Sequence, residues 1–264
     1  MPSIVRPTRQ QKLRRLVVLG TAIFAIAIGQ LQVGLGLGQS PAEFASDSNA
    51  TLRVIGWAFA IWGLIYLGLA AYAIRQVLPQ TGESDMINTF GWPSVLAFVG
   101  IGLWIVAAAL DWELATIVLI FGALTVLLIP LLTQAGRIRA LSLGDRDRWL
   151  TVWPLGLLAG WLTVAAPVNL ITVATGNGDL PTGVSPTTLA LMAVVVAGAV
   201  AVGVTWRIRT IAYALPVVWG LVGVFAAEQS RNGTLAFGAV IVAVVVLVGT
   251  VVLTLAQRRR IERD

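Results

Sequence analysis

Cysteine and histidine are both absent from this chain of 264 residues. Their absence removes disulfides, a thiolate nucleophile, the usual zinc sites, and haem held by a His or Cys axial ligand. Charge is scarce as well: 11% of residues are charged against 58% hydrophobic, with a mean hydropathy of +0.88. No water-soluble core needs that much apolar surface, so the chain reads as an all-α polytopic membrane protein. No Asp, Glu, Lys or Arg falls in the middle of a long apolar run. Proton pumps, ion-coupled carriers and voltage sensors usually depend on such a residue. An intramembrane hydrolase would lack the base that activates its nucleophile, so conventional enzyme chemistry is not expected. A net charge of +6 invites a nucleic-acid reading. The basic residues, however, sit in short clusters between apolar runs, as orientation in a bilayer requires, and nucleic acid is set aside.

What is present is a series of eight apolar runs. The first, 16–38, follows Arg6, Arg9, Lys12, Arg14 and Arg15. A basic stretch ahead of an apolar one also suits a signal peptide, but this run is the length of a full span and reads as a retained helix. The second, 57–75, carries no charge until Arg75 and at about 1.5 Å per residue nearly crosses a hydrocarbon core. Phe59, Trp62 and Tyr66 lie at i, i+3 and i+7, so they share one helical face. Counting along the run puts Trp62 and Tyr66 near mid-membrane, where an indole N–H and a phenol O–H need partners. Packing between helices and the wall of a ligand pocket both satisfy that pattern. Further runs cover roughly 92–110, 113–134, 149–174, 187–206, 211–227 and 235–256.

Lys and Arg test this count. With eight spans, sixteen of the 18 fall in the amino-terminal segment, the even-numbered turns and the tail, leaving Arg53 and Arg231 on the other side. That asymmetry implies an inner-membrane protein with both termini cytoplasmic. Removing any one span would invert every later loop and spoil it.

The fifth run is the polar exception, in its stretch 153–174. Asn169 is the one Asn in a span, and its amide must be hydrogen-bonded there. Pro167 invites a kink. Trp161, Ala165 and Asn169 follow at i, i+4 and i+8. Gly156 and Gly160 form a GxxxG spacing able to seat a neighbouring helix, as do Gly34 and Gly38 at the end of the first run.

The second and fifth runs together resemble the tryptophan-rich sensory protein and translocator protein family, also called the peripheral benzodiazepine receptor family. That family's second helix carries a Trp four residues before a Tyr with a Phe upstream, as in Phe59, Trp62 and Tyr66. Its fifth carries a Trp eight residues before an Asn, matched by Trp161, Ala165 and Asn169. The resemblance covers residues 13–175 and implies a five-helix bundle over 1–176, with 177–264 supplying three further spans and a basic cytoplasmic tail. It implies a receptor or sensor binding a tetrapyrrole, or a sterol-like lipid, at Phe59, Trp62, Tyr66, Trp161, Ala165 and Asn169. No cofactor is required, and without His or Cys a metal-free porphyrin is the favoured ligand. The chain departs from the family where the first loop lacks its Trp and offers only Pro41-Ala-Glu-Phe44, and where Trp104 stands in the third helix without the usual preceding Asn. Leu69, Tyr72 and Arg75 also fit a proposed cholesterol pattern, which equally describes a Tyr and Arg anchored at the interface.

Two other classes stay open. The stretch 58–65 resembles 214–222, including Trp62 and Trp219, in helices that cross in opposite senses, the trace of an inverted-repeat transporter or of chance. A structural partner of another membrane protein, or a homo-oligomer, fits the composition too.

Overall fold

Helix starts are written locally in the sequence. Thr8 and Gln11 form a reciprocal capping box ahead of the first helix, Ser84 caps the third, and Ser185 followed by Pro186 caps the sixth. The computed structural model describes residues 6–46, 49–78, 81–82 and 84–261, with side chains to residue 256. Among these there is no strand, and eight helices are long and apolar enough to cross a membrane. They are α1 (Arg9–Leu35), α2 (Ile61–Val77), α3 (Asp85–Ala109), α4 (Glu113–Thr133), α5 (Trp153–Gly176), α6 (Pro186–Ile208), α7 (Ile211–Glu228) and α8 (Gly233–Ile261). The eight spans read from the sequence are therefore present. The arginine side chains of the tail, which entered the charge count, lie outside what is described.

The axis of the bundle is α5. It is apolar on every side, as a helix surrounded by other helices must be, and α2, α4, α6 and α7 all pack on it. Gly156 and Gly160 do seat a neighbour: the backbone of α7 rests on them, with the Tyr213 carbonyl directly against Gly160. Beside that crossing the Thr163 and Tyr213 hydroxyls meet at 2.6 Å. The helix runs unbroken through Pro167. The boundary drawn at residue 176 thus separates two sequence segments whose helices interlock.

The other glycine pair behaves differently. Gly34 has open space where a Cβ would stand, Gly36 ends α1 in the left-handed conformation, and Gly38 lies beyond the helix against the Ala109 carbonyl. The spacing there makes a helix terminus and not a helix seat. The close approach on α1 falls instead at Gly29, where the Tyr66 hydroxyl would sit 2.7 Å from an added Cβ.

Both described ends of the chain lie at one end of the bundle, together with the arginines. Arg75 pairs with Asp147 at 2.6 Å and bonds Thr151, Arg137 lies 3.6 Å from Asp85, Arg139 bonds the Arg207 carbonyl, and Arg209 bonds that of Leu253. At the far end, buried Glu228 pairs with Arg231, and Asn177 bonds Glu113.

One departure in α2 matters for the site. The span opens with a 3-10 segment, Gly56–Ala60, before the α-helix starts at Ile61. Trp219 of α7 fixes it by donating its indole N–H to the Ala58 carbonyl at 2.7 Å, and Ile55 N–H bonds the Gly223 carbonyl. Trp62 is only the second residue of α2, so it lies towards the far end and not at mid-span.

Candidate functional site

Four helices and the first loop converge beneath the far end. Phe59 and Trp62, on either side of the 3-10 to α junction, both turn onto Trp161 of α5. Their rings meet it edge-on at 5.6 and 6.5 Å. Trp161 itself is 2% exposed. Two turns further along α5, Asn169 is buried and fully engaged. Its Oδ1 accepts from the Trp104 indole N–H of α3 at 2.8 Å, and its Nδ2 donates to Thr116 Oγ1 of α4 at 3.0 Å. Thr116 passes its own proton to the Glu113 carbonyl. This amide thus ties three helices together, as its desolvation requires.

Between these groups lies a small apolar cavity, with Ala165, Ile101 and Ile120 completing the walls. Its roof is the first loop. Ser40 caps a one-turn helix, Pro41–Phe44, and Phe44 reaches down edge-on to Trp104 at 5.7 Å. Ser40 and Glu43 form a capping box, and hydrogen bonding from the Ser40 side chain and then its backbone holds the Glu43 carboxyl below its ordinary value. The free space is about 40 Å³. An engineered apolar cavity of ~150 Å³ takes up benzene, so the chamber as it stands is well below the size of one known to hold a single ring.

Five of the six residues singled out from the sequence line that cavity: Phe59, Trp62, Trp161, Ala165 and Asn169. Tyr66 does not. It stands behind Trp62, ring centroids 5.2 Å apart, with its hydroxyl over Gly29. Trp104 and Phe44 were missed as wall and roof. The unmet demand of Asn169 for a donor was the one signal pointing to a residue such as Trp104. The cholesterol pattern is spent inside the protein: Leu69 and Tyr72 are fully buried, the Tyr72 hydroxyl bonds Ser94, and Arg75 holds Asp147. The α7 counterpart of Trp62, Trp219, braces the start of α2 and packs on Trp57 at 5.0 Å.

Comparison with known families adds to this geometry. The sequence model for TSPO-like protein matches residues 15–252. The chain belongs to that family. The match runs past α5 through α6 and α7 into α8, so this TSPO-like chain carries the likeness over nearly all of its spans and not only the five from which it was first read. No curated protein and no solved structure matches it.

Proposed function

We propose that this TSPO-like protein is an integral membrane receptor, and not an enzyme, that takes a flat hydrophobic molecule of the tetrapyrrole class into the chamber between α2, α3, α4 and α5. The observation that carries the reading is the chamber's make-up: Phe59, Trp62, Trp104 and Trp161 around one amide, Asn169. Indole faces suit a macrocycle, and a few fixed polar groups on an apolar wall are how small-molecule sites set orientation. A chamber of about 40 Å³ must open to admit such a ring. The reading assigns that opening to the roof, a single helical turn whose Phe44 rests on Trp104. With neither His nor Cys in the chain, a metal-free ring suits it better than haem. The cation asymmetry supports a plasma-membrane protein whose arginine-rich end and termini face the cytoplasm, with the roof on the opposite side.

The test is titration of the purified protein with protoporphyrin, read by quenching of tryptophan emission. Trp161→Phe should weaken binding by about 1 kcal/mol, the scale of an aromatic pair. Ala165→Phe should weaken it further by filling the chamber. Trp206→Phe, exposed at the other end of the bundle, should leave affinity unchanged. Equal affinities in all three variants would place the porphyrin elsewhere and overturn the reading.

A further inference from the structure

A second concavity lies at the arginine-rich end, between the start of α1 and the end of α2, and it differs in kind from the chamber. It holds about 490 Å³ and is open to one side. Arg6 and Lys12 stand exposed at its rim, while Leu16, Val77 and Leu78 give it an apolar flank. Arg15 builds the wall between them. It is 3% exposed, and its guanidinium donates to the carbonyls of Gln76, Thr81 and Gly82 at 3.0 to 3.4 Å. That clamp holds the chain after α2 against α1 and keeps the groove's shape independent of Arg6 and Lys12.

Position and charge say what fits. The groove sits where the apolar spans of α1 and α2 meet the membrane surface, so its flank adjoins acyl chains and its rim adjoins headgroups. No Asp or Glu lines it among the described residues. Glu83 lies outside the described residues, and of the described acids at this end Asp85 lies against Arg137 and Asp147 pairs with Arg75. By chain position, this end carries sixteen Lys and Arg against six Asp and Glu, whereas the far end carries two against six. Cations that serve only to orient a chain need no shaped pocket beside them. A basic pocket between helices on the cytoplasmic side is suited to an anionic headgroup.

We propose that this groove binds an anionic phospholipid, with its phosphodiester between Arg6 and Lys12 and an acyl chain along Leu16, Val77 and Leu78. The bound lipid ties the amino-terminal segment to the end of α2 from the membrane side, as Arg15 does from within. The proposal does not rest on the ligand assigned to the chamber.

Native mass spectrometry of the full-length protein, released from detergent containing equal phosphatidylglycerol and phosphatidylcholine, tests it. The wild type should retain phosphatidylglycerol preferentially. The pair Arg6→Gln and Lys12→Gln should reduce retention about five-fold per charge removed. Removing the same charge at Arg146 and Arg207 should change it little, and all variants should show the same thermal midpoint in phosphatidylcholine alone. Equal loss from both pairs would mean diffuse attraction to the basic end and would overturn the site. So would glycerol phosphate displacing phosphatidylglycerol as well as the intact lipid does, since that ligand never touches the apolar flank.

Discussion

The Trp104 indole donates to Asn169 Oδ1 at 2.8 Å, so the amide at the heart of α5 is bonded to a side chain 65 positions away. Replacing it strands the Trp104 N–H and takes a donor from the Thr116 hydroxyl, which keeps its own bond to the Glu113 carbonyl. Asn169→Leu should therefore destabilise the bundle by about 1–3 kcal/mol, measured by unfolding in mixed detergent. Trp104→Phe added to that variant should cost much less than it costs alone, because its N–H has no acceptor left. Additive losses would show that the bond contributes nothing.

Gly156 and Gly160 look equivalent in sequence and are not equivalent in space. A Cβ at Gly156 would stand 3.4 Å from the Ala212 Cβ, an ordinary contact, whereas one at Gly160 would strike the Tyr213 carbonyl. Gly156→Ala should be nearly neutral in thermal stability. Gly160→Ala should cost about 1–3 kcal/mol, as overpacking does. The reverse ranking would contradict the α5–α7 crossing.

The roof should respond to acid. Because Ser40 holds the Glu43 carboxyl below the ordinary 4.5, the capping box contributes stability above that value. It loses that contribution as pH falls through the lowered value in the folded protein. Hydrogen exchange of the Glu43 and Phe44 amides, corrected for intrinsic rate, should thus become less protected below pH 4.5 while the core of α5 stays protected. Glu43→Gln keeps a capping side chain that cannot ionise, and it should remove the pH dependence.

Orientation can be read directly in this cysteine-free chain. Cysteines placed at exposed Asp179 and Ser230 should react with an impermeant maleimide in intact cells, and one at Ser142 should react only after permeabilisation. Labelling of Ser142→Cys from outside would invert the assignment.

The spans were legible because hydrocarbon imposes one rule on every residue of a helix, and eight separate runs obey it. The site was legible in its residue types and less so in its depth. A 3-10 turn over Gly56–Ala60 is set by Trp219 and Gly223, more than 150 positions away, and no local pattern announces it. Depth was misjudged separately: Trp62 was placed near mid-membrane, whereas it is an early residue of the span Gly56–Val77 and lies towards its far end. Tyr66 shares a face with Trp62 only at one remove, since Gly29 of α1 leaves space that draws its hydroxyl away from the chamber. Glycine spacing states that a backbone can come close and not that one does, which is why the pair at 156 and 160 found α7 and the pair at 34 and 38 found a helix end.

Below the chamber, towards the arginine-rich end, the interior is solid. Leu69, Tyr72, Phe98 and Leu158 are each 0% exposed, and the Tyr72 and Phe98 rings meet edge-on at 6.0 Å. Those side chains close the cavity's floor, so the space beneath Phe44 is a pocket and not a channel among the described residues. For the receptor proposed above, that packing implies release of the ligand on the side from which it entered.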